Sequence, residues 1–581
     1  MKLKYIIAAS LLMGSVTSCS DFLEQDNKSS VSASDFYNTE DGFESLTNSM
    51  YSTLRTLYNI QPTLWVAGTD LYGDGKTQGV AMNWYTQTSS EGIVLTTYTN
   101  LYKSIQLANS VIAYGTSTAS KKAAQYTDEA RFIRAYDYFL LVQQFGKVSL
   151  NQEMYQTAHL NFERTDIKTV YEFIISEFEY LAGSSSNLLE RSSAGVGRAN
   201  KRAAKFFLAK AYLTRGWLNG QDYEAQEENI AQSTDFQNAA KYAVEAINSE
   251  TPSLSIENAF NINNEDNAEF FWSVQFSSNS LDDPTRDGSY QMAQFGSYLG
   301  GAEYAKNKAI DGNESPNLRL MQMYTRGDGR LEQTFMLELH GTRAGKNGYF
   351  DYYNDPTGSD IWVYYAPWWA TDADIEAWKA DDPQGQKSNA IITKTVKTAA
   401  EGGIGPSTNE AASWQERRSM DFGVPCIKKF DDYTASSMSN RSSQCSTHDV
   451  VVSRLGEAYL IAAEAYLQAG DKTNAAKMIN TLRQRPGTIK TGYETAMNVA
   501  ADDITIDFIL DERAREMAGE YVRWTDLKRT HKLVEYFTQY NEDNVPAANM
   551  VGGDGKYKIL RPFPLDAIDK NQTEVEQNPG Y

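Results

Sequence analysis

Residues 209–216 (AKAYLTRG) and 463–470 (AEAYLQAG) share the pattern A-x-A-Y-L-x-x-G, and each is followed by NAAK, at 238–241 and 474–477. A repeat of this kind limits the fold severely. Its small Ala faces let the two helices of a pair approach closely. The second copy has the length of a tetratricopeptide-like helix–turn–helix, and the first carries an insertion between its two parts. Flanking segments follow the same helical period. Residues 129–145 and 201–215 carry apolar side chains three and four apart and are expected to stop at Gly146 and Gly216, where glycine accepts a left-handed cap. Residues 451–469 set Val451, Leu455, Tyr459, Ala462 and Tyr466 on one helical face before Gly470.

From 251 to 448 the Ala-rich period gives way to Gly, Asn, Asp, Ser and aromatics, with a strand-like run at 270–276 (FFWSVQF). Long loops in a folded chain are usually functional or disordered, and this aromatic content disfavours disorder. The chain therefore reads as one domain over 35–581: a helical part (35–250), a loop-rich ligand or partner part (251–448), and a second helical part with a tail (449–581). The formal charge of −21 repels phosphate backbones, so nucleic acid is not an expected partner.

The amino terminus specifies the compartment. Residues 1–18 combine Lys2 and Lys4 with an apolar run from Tyr5 to Gly14 and a small-residue end. This is a secretory signal in layout, too short to span a hydrocarbon core of about 30 Å. It ends at Cys19, in a setting that resembles a lipobox, where a bacterial lipoprotein is cut and its cysteine acylated. Residues 19–34 read as a flexible tether, and Asp21 and Glu24 within it resemble a surface-export signal. No other apolar run approaches membrane-spanning length, so lipid is the expected membrane attachment. Cys426 and Cys445 are open to two readings, a disulfide or two buried thiols.

Several longer motifs occur in order: EARFIRAY (129–136), GRANKRAAKFFLAKAYL (197–213), RLGEAYLIAAEAYL (454–467), ILDERAREMAGEYVRWTDLKR (509–529), RPFPLDAID (561–569) and QNPGY (577–581). With them the chain resembles the SusD/RagB family of outer-membrane nutrient-binding lipoproteins. The resemblance implies a mostly α fold, in which four tetratricopeptide-like helix pairs form a superhelical scaffold packed against an irregular, loop-rich part with a few short strands. It further implies a cell-surface protein, lipid-anchored at Cys19 in the outer membrane, that captures an oligosaccharide for a TonB-dependent transporter of the SusC type. A branch of the family handles peptides instead.

Sugar recognition without catalysis needs flat apolar faces for the C–H sides of the rings and fixed polar groups for the hydroxyls. Two stretches have that composition. Residues 65–85 (WVAGTDLYGDGKTQGVAMNWY) offer Trp65, Asp70, Tyr72, Asn83 and Trp84 as ligand contacts. Residues 349–378 contain ten aromatics, among them Tyr349, Trp362, Trp368 and Trp369. Such density fits a ligand surface, a satellite core beneath the loops, or a face against the transporter.

Signals that look catalytic are weaker. GDGKT (73–77) has Asp70 where a phosphate loop requires glycine. Glu512, Glu516 and Glu520 recur every four residues among arginines, the pattern of a salt-bridged helix rather than of an acid pair flanking a bond. No catalytic residue, cofactor or metal is expected; DDPTRDG (282–288) has oxygen ligands for calcium without the calcium-loop spacing. A secreted polysaccharide hydrolase is the rival outside the receptor class, since paired acids need not be close in sequence.

Overall fold

The computed structural model describes residues 32–59, 63–157, 159–220, 229–250, 255–257, 259–277, 288–295, 314–342, 359–395, 413–420, 423–432 and 446–581. Cys19, Tyr349, Cys445 and residues 282–287 of the calcium-like loop lie outside them. Cys426 is buried.

Eight helices make the scaffold as four pairs. Helix α1 (Glu40–Asn59) packs on α2 (Gly92–Tyr114), α3 (Ala123–Phe145) on α4 (Ile167–Ala182), and α5 (Lys201–Trp217) on α6 (Asp235–Asn248). After the loop-rich part, which holds helix α7 (Asp372–Ala380), come α8 (Leu455–Gln468) and α9 (Lys472–Arg483). Helix α8 lies against α6, so the third and fourth pairs stack although the whole loop-rich part separates them in sequence. The two repeat copies are thus the third and fourth pairs. Local chemistry starts them: the Asn200 side chain accepts from Ala203 N at 2.9 Å ahead of α5, and Asp471 from Asn474 N at 3.0 Å ahead of α9.

Helix α3 sits at the centre. From Ala130 to Phe145 every residue but Arg131 is buried, as expected of a helix surrounded by neighbours. Among its polar members, Arg134 donates to Asn109 Oδ1 at 2.8 Å. Gly146 ends the helix at φ +67°, as its position predicts, and a Cβ there would come within 2.9 Å of Leu560.

Two helix boundaries differ from expectation. Gly216 lies inside α5, which continues to Trp217; a Cβ at Gly216 would sit 2.8 Å from the Phe236 ring of α6. Close approach of the pair, not capping, calls for that glycine. Val451 belongs to a strand, β7 (Val450–Arg454), and the helix begins only at Leu455.

Among the described residues seven short strands organise the rest. Strand β1 (Tyr72–Asp74) pairs with β3 (Glu314–Pro316), tying the 65–85 loop to the loop-rich part. Strand β2 (Phe270–Val274) is antiparallel to β7 and stitches the start of that part to its end. Strand β5 (Ser359–Ala366) lies between β4 (Glu338–Thr342), antiparallel, and β6 (Ile391–Lys394), parallel, with α7 as the crossover. The loop-rich part has a core of its own, built from residues such as Leu320, Tyr324, Phe335, Val363, Tyr365 and Trp414.

Glu512, Glu516 and Glu520 stand where these parts meet, and they are buried, not on a solvated helix face. Glu520 lies beyond the helix α10 (Ile506–Glu516) that carries the other two, just ahead of α11 (Arg523–Arg529). Glu512 pairs with Arg330, Arg483 and Arg515 at 2.9, 2.6 and 2.6 Å. Glu516 pairs with Arg454 and Arg485, and Glu520 with Arg454 and Lys429. Burial alone would raise these carboxyls, but the surrounding guanidiniums outweigh it and hold all three below the ordinary carboxylate value. A glycosidase general acid needs the opposite shift. These three acids hold the scaffold to the loop-rich part.

Candidate functional site

The 65–85 loop folds around two carboxylates. Asp74 Oδ2 accepts from Gly79 N at 2.5 Å and Trp84 Nε1 at 2.7 Å, and its Oδ1 accepts from Asn83 Nδ2 at 3.0 Å. Asp70 is gripped by Arg523 Nε and Nη2 at 2.8 and 2.6 Å and by Arg319 Nε at 3.1 Å. Burial would raise the Asp70 carboxyl, yet the two guanidiniums more than cancel it and hold it below its ordinary value. The Tyr72 hydroxyl accepts from Gly519 N at 2.7 Å, and Asn83 Oδ1 accepts from Gly68 N at 2.9 Å.

Consequently Trp65, Asp70, Tyr72 and Asn83, expected to touch ligand, are buried and already bonded or packed to protein. No sugar ring reaches them in this arrangement. Trp84 alone of the five is half-buried; its ring packs beside a cluster of Tyr85, Leu510 and Trp524, and its Nε1 is spent on Asp74. Glu314, directly across from Asp74 in the β1–β3 pair, has neither carboxylate oxygen hydrogen-bonded among the described residues. Burial pushes its carboxyl far up, and the Asp74 and Asp543 charges add to that.

The second aromatic stretch divides by strand alternation. Along β5, Ile361, Val363 and Tyr365 point into the core, while Trp362 and Tyr364 are half-buried on the opposite face. Tyr364 is covered by Trp378 of α7, the rings stacked with centroids 4.1 Å apart and planes 4° from parallel. Trp378 Nε1 donates to Glu338 at 2.7 Å, and Lys387 Nζ stands 4.7 Å from the same ring. This sandwich fixes α7 on the sheet.

The turn that leaves β5 carries the open ring. Trp368 is 43% exposed, far more than any other tryptophan of the described residues reaches in the core. Its Nε1 donates to Tyr324 O at 3.0 Å, and Trp369 meets it edge-on at 5.7 Å while packing against the core below. With its polar edge satisfied and its position braced, the indole presents an apolar face to solvent.

Two residues that sequence reading passed over complete this surface. Arg326 makes a bidentate pair with Asp374, Nη1–Oδ1 at 2.7 Å and Nη2–Oδ2 at 2.9 Å, and donates to Trp369 O at 3.2 Å. Asp374 also closes the capping box of α7, its Oδ2 accepting from Thr371 N and Oγ1, both at 2.7 Å. Hydrogen bonds from Arg326 and Thr371 hold its carboxyl well below the ordinary range. The T-x-x-D spacing of the box was legible beforehand; the arginine partner was not. Trp362 and Trp369 contribute partial exposure, and Tyr349 lies outside the described residues.

Among the described residues no cluster of His, Cys, Asp and Glu could hold a metal ion, and no helix is long and apolar enough to cross a membrane.

The described residues thus form a stacked helical-pair scaffold with a separate loop core that displays a braced aromatic surface. Comparison with known proteins gives the family. A family model described as "SusD family" matches residues 214–581, and one described as "Starch-binding associating with outer membrane" matches residues 21–213. The seam between the matches falls inside α5 and is not a structural boundary. A SusD-like protein of Formosa agariphila is 24% identical over the full length of both chains. A solved laminarin-binding SusD-like protein superimposes with a TM-score of 0.63 at 18% identity, covering 94% of this chain and all of that one. A structure solved with a xylogluco-oligosaccharide gives 0.61 at 19% identity, covering 92% of this chain and 98% of the other. The chain belongs to the SusD family.

Proposed function

We propose that this protein is a cell-surface glycan receptor that holds an oligosaccharide on the Trp368 surface and passes it to a TonB-dependent outer-membrane transporter. The observation that carries the reading is the exposed, braced indole of Trp368, which offers a rigid apolar face with its Nε1 already satisfied. Tryptophan in that state loses little entropy when a sugar ring stacks on it. Fold relatives that bind laminarin or were solved with a xylogluco-oligosaccharide support the ligand class. The description of the amino-terminal family model supports an outer-membrane address, and the lipobox-like sequence supports a lipid anchor at Cys19. The protein acts by binding and carries out no bond cleavage. Of the first aromatic stretch, Trp84 is the residue with surface to offer; the others act through the shape of the loop.

The test is retardation of the mature chain in native gels containing laminarin or xyloglucan, with calorimetry on oligosaccharides and on peptides. Retardation by a glycan that Trp368→Ala abolishes is expected. Binding of peptide alone overturns the ligand class, and sugar released into solution overturns the non-catalytic reading. Co-purification of a β-barrel transporter from outer membranes, lost when Cys19→Ala releases the chain, is the expected result for partner and anchor.

A further inference from the structure

Trp368 and the Arg326–Asp374 pair are tethered to the same two segments, 324–326 and 368–374. Trp368 Nε1 binds Tyr324 O at 3.0 Å, Arg326 Nη2 binds Trp369 O at 3.2 Å, and Asp374 is fixed by Thr371 two residues beyond the tryptophans. The pair stays accessible, with the arginine side chain 43% and the aspartate 34% exposed. We propose that this pair is the specificity element of the Trp368 surface, admitting neutral saccharides and turning away those that carry carboxylate or sulfate groups. The proposal rests on the reading of Trp368 as a sugar platform and goes further, to the charge class of the ligand.

The chemistry is that of matched donors and acceptors. Among the described residues Arg326 Nε makes no protein hydrogen bond, and Asp374 Oδ1 accepts only from Arg326. A donor and an acceptor therefore lie side by side next to an open aromatic face. A sugar hydroxyl both donates and accepts, so two neighbouring hydroxyls can satisfy the doublet together. A carboxylate or sulfate only accepts. It could use the arginine but would bring its charge against Asp374, and Asp374 has already neutralised the attraction. On the rest of α7 the exposed acids Asp372 and Glu376 are each paired, with Lys394 at 3.5 Å and Lys379 at 3.0 Å, so they add no net charge and the doublet itself carries the discrimination. At about 0.1 M salt the screening length is about 10 Å, so these local charges, not the distant surface, set the discrimination.

A plainer role, in which the pair only stabilises α7, makes a different prediction. The capping box needs Thr371 and Asp374 alone, and an exposed pair adds little to stability. Asp374→Asn keeps an acceptor oxygen for Thr371 while removing the charge that cancels Arg326. Arg326→Gln leaves the cap untouched and removes the donor charge.

The experiment is calorimetry on the full mature chain with laminarihexaose, a xyloglucan oligosaccharide and oligogalacturonate in 0.1 M salt. The wild type is expected to bind a neutral probe at least tenfold tighter than oligogalacturonate. Asp374→Asn is expected to narrow that ratio at least fivefold, Arg326→Gln to widen it, and the double variant to lose the gain in oligogalacturonate binding. A ratio unmoved in both single variants overturns the proposal, as does a wild type that prefers oligogalacturonate. If Trp368→Ala still abolishes neutral binding while the ratio stays fixed, the platform stands and only the specificity element falls. A wild type that binds no saccharide overturns both.

Discussion

Residues 65–85 and 362–378 have nearly the same ingredients, tryptophans and tyrosines interspersed with aspartates, and the fold uses them in opposite ways. In the first, the aspartates are buried and take their partners from the protein: Asp70 from Arg523 and Arg319, Asp74 from the loop's own amides and from Trp84. The aromatics follow them inward. In the second, the key aspartate stays at the surface with Arg326, and the turn between β5 and α7 leaves Trp368 outside. The lesson is that an aromatic-rich loop becomes a core or a platform according to where its charged neighbours find their counterions. A buried charge needs complete pairing, and that pairing pulls the whole loop in.

This contrast is broken most severely at Arg523. Arg523→Ala leaves Asp70 buried with one partner where it had two, and removing one member of a buried pair costs about 3–5 kcal/mol. Denaturant unfolding should show that loss, with laminarin retardation lost only through unfolding. The pH dependence has a definite sign. The Asp70 carboxyl lies below its ordinary 3.8, so its contribution is whole above that value and is lost as the pH falls through the lower, folded one. The stability gap between wild type and Asp70→Asn should therefore shrink below about pH 4.

Trp368→Ala should do the reverse. Ligand affinity falls by about 2 kcal/mol or more, roughly 30-fold, as for a central aromatic contact, while Tm holds. A drop in Tm comparable to that of Arg523→Ala would show the ring to be core and erase the distinction. Trp84 lies between the two cases. Trp84→Phe keeps an aromatic ring, though a smaller one, and removes the hydrogen bond to Asp74, a charged acceptor, and should cost about 1.5 kcal/mol of stability or more. If glycan retardation is unaffected as well, Trp84 belongs to the first region entirely.

At Glu314 the expected effect has the opposite sign, a gain. Its folded carboxyl value lies well above the ordinary 4.5, so stability from the protonated form is present below 4.5 and is lost as the pH rises toward the folded value. Glu314→Gln carries no such loss. Its melting temperature should match the wild type in acid and exceed it increasingly as the pH rises. An unchanged difference across the range would mean that the Glu314 carboxyl keeps its ordinary value in the fold.

Much of the scaffold was legible because its signals are local. Apolar spacing locates α3 and α5, the paired A-x-A-Y-L motifs mark the third and fourth helix pairs, and Asn200 and Asp471 stand where caps are needed. Errors arose where a local sign had a distant cause. Gly216 looks like a helix stop, but the reason for it is Phe236 on the next helix. Glu520 keeps the four-residue spacing of Glu512 and Glu516 yet lies past the helix end, drawn to Arg454 and Lys429. In β5 the run Ile361–Tyr365 is apolar or aromatic at every position, so the two-residue alternation that separates core from surface cannot be seen in it.

By itself the sequence determined the helical-pair build, the family and the two stretches rich enough in aromatics to bind a sugar, because period, caps and motifs are properties of neighbouring residues. Which aromatics face outward was decided only by tertiary structure. Asp70 meets Arg523 across 453 positions, and Trp368 is held out by a carbonyl of Tyr324 and by an arginine–aspartate pair that no spacing announces. Orientation follows from where each buried charge and each polar edge is satisfied, and those partners are brought together by the fold alone.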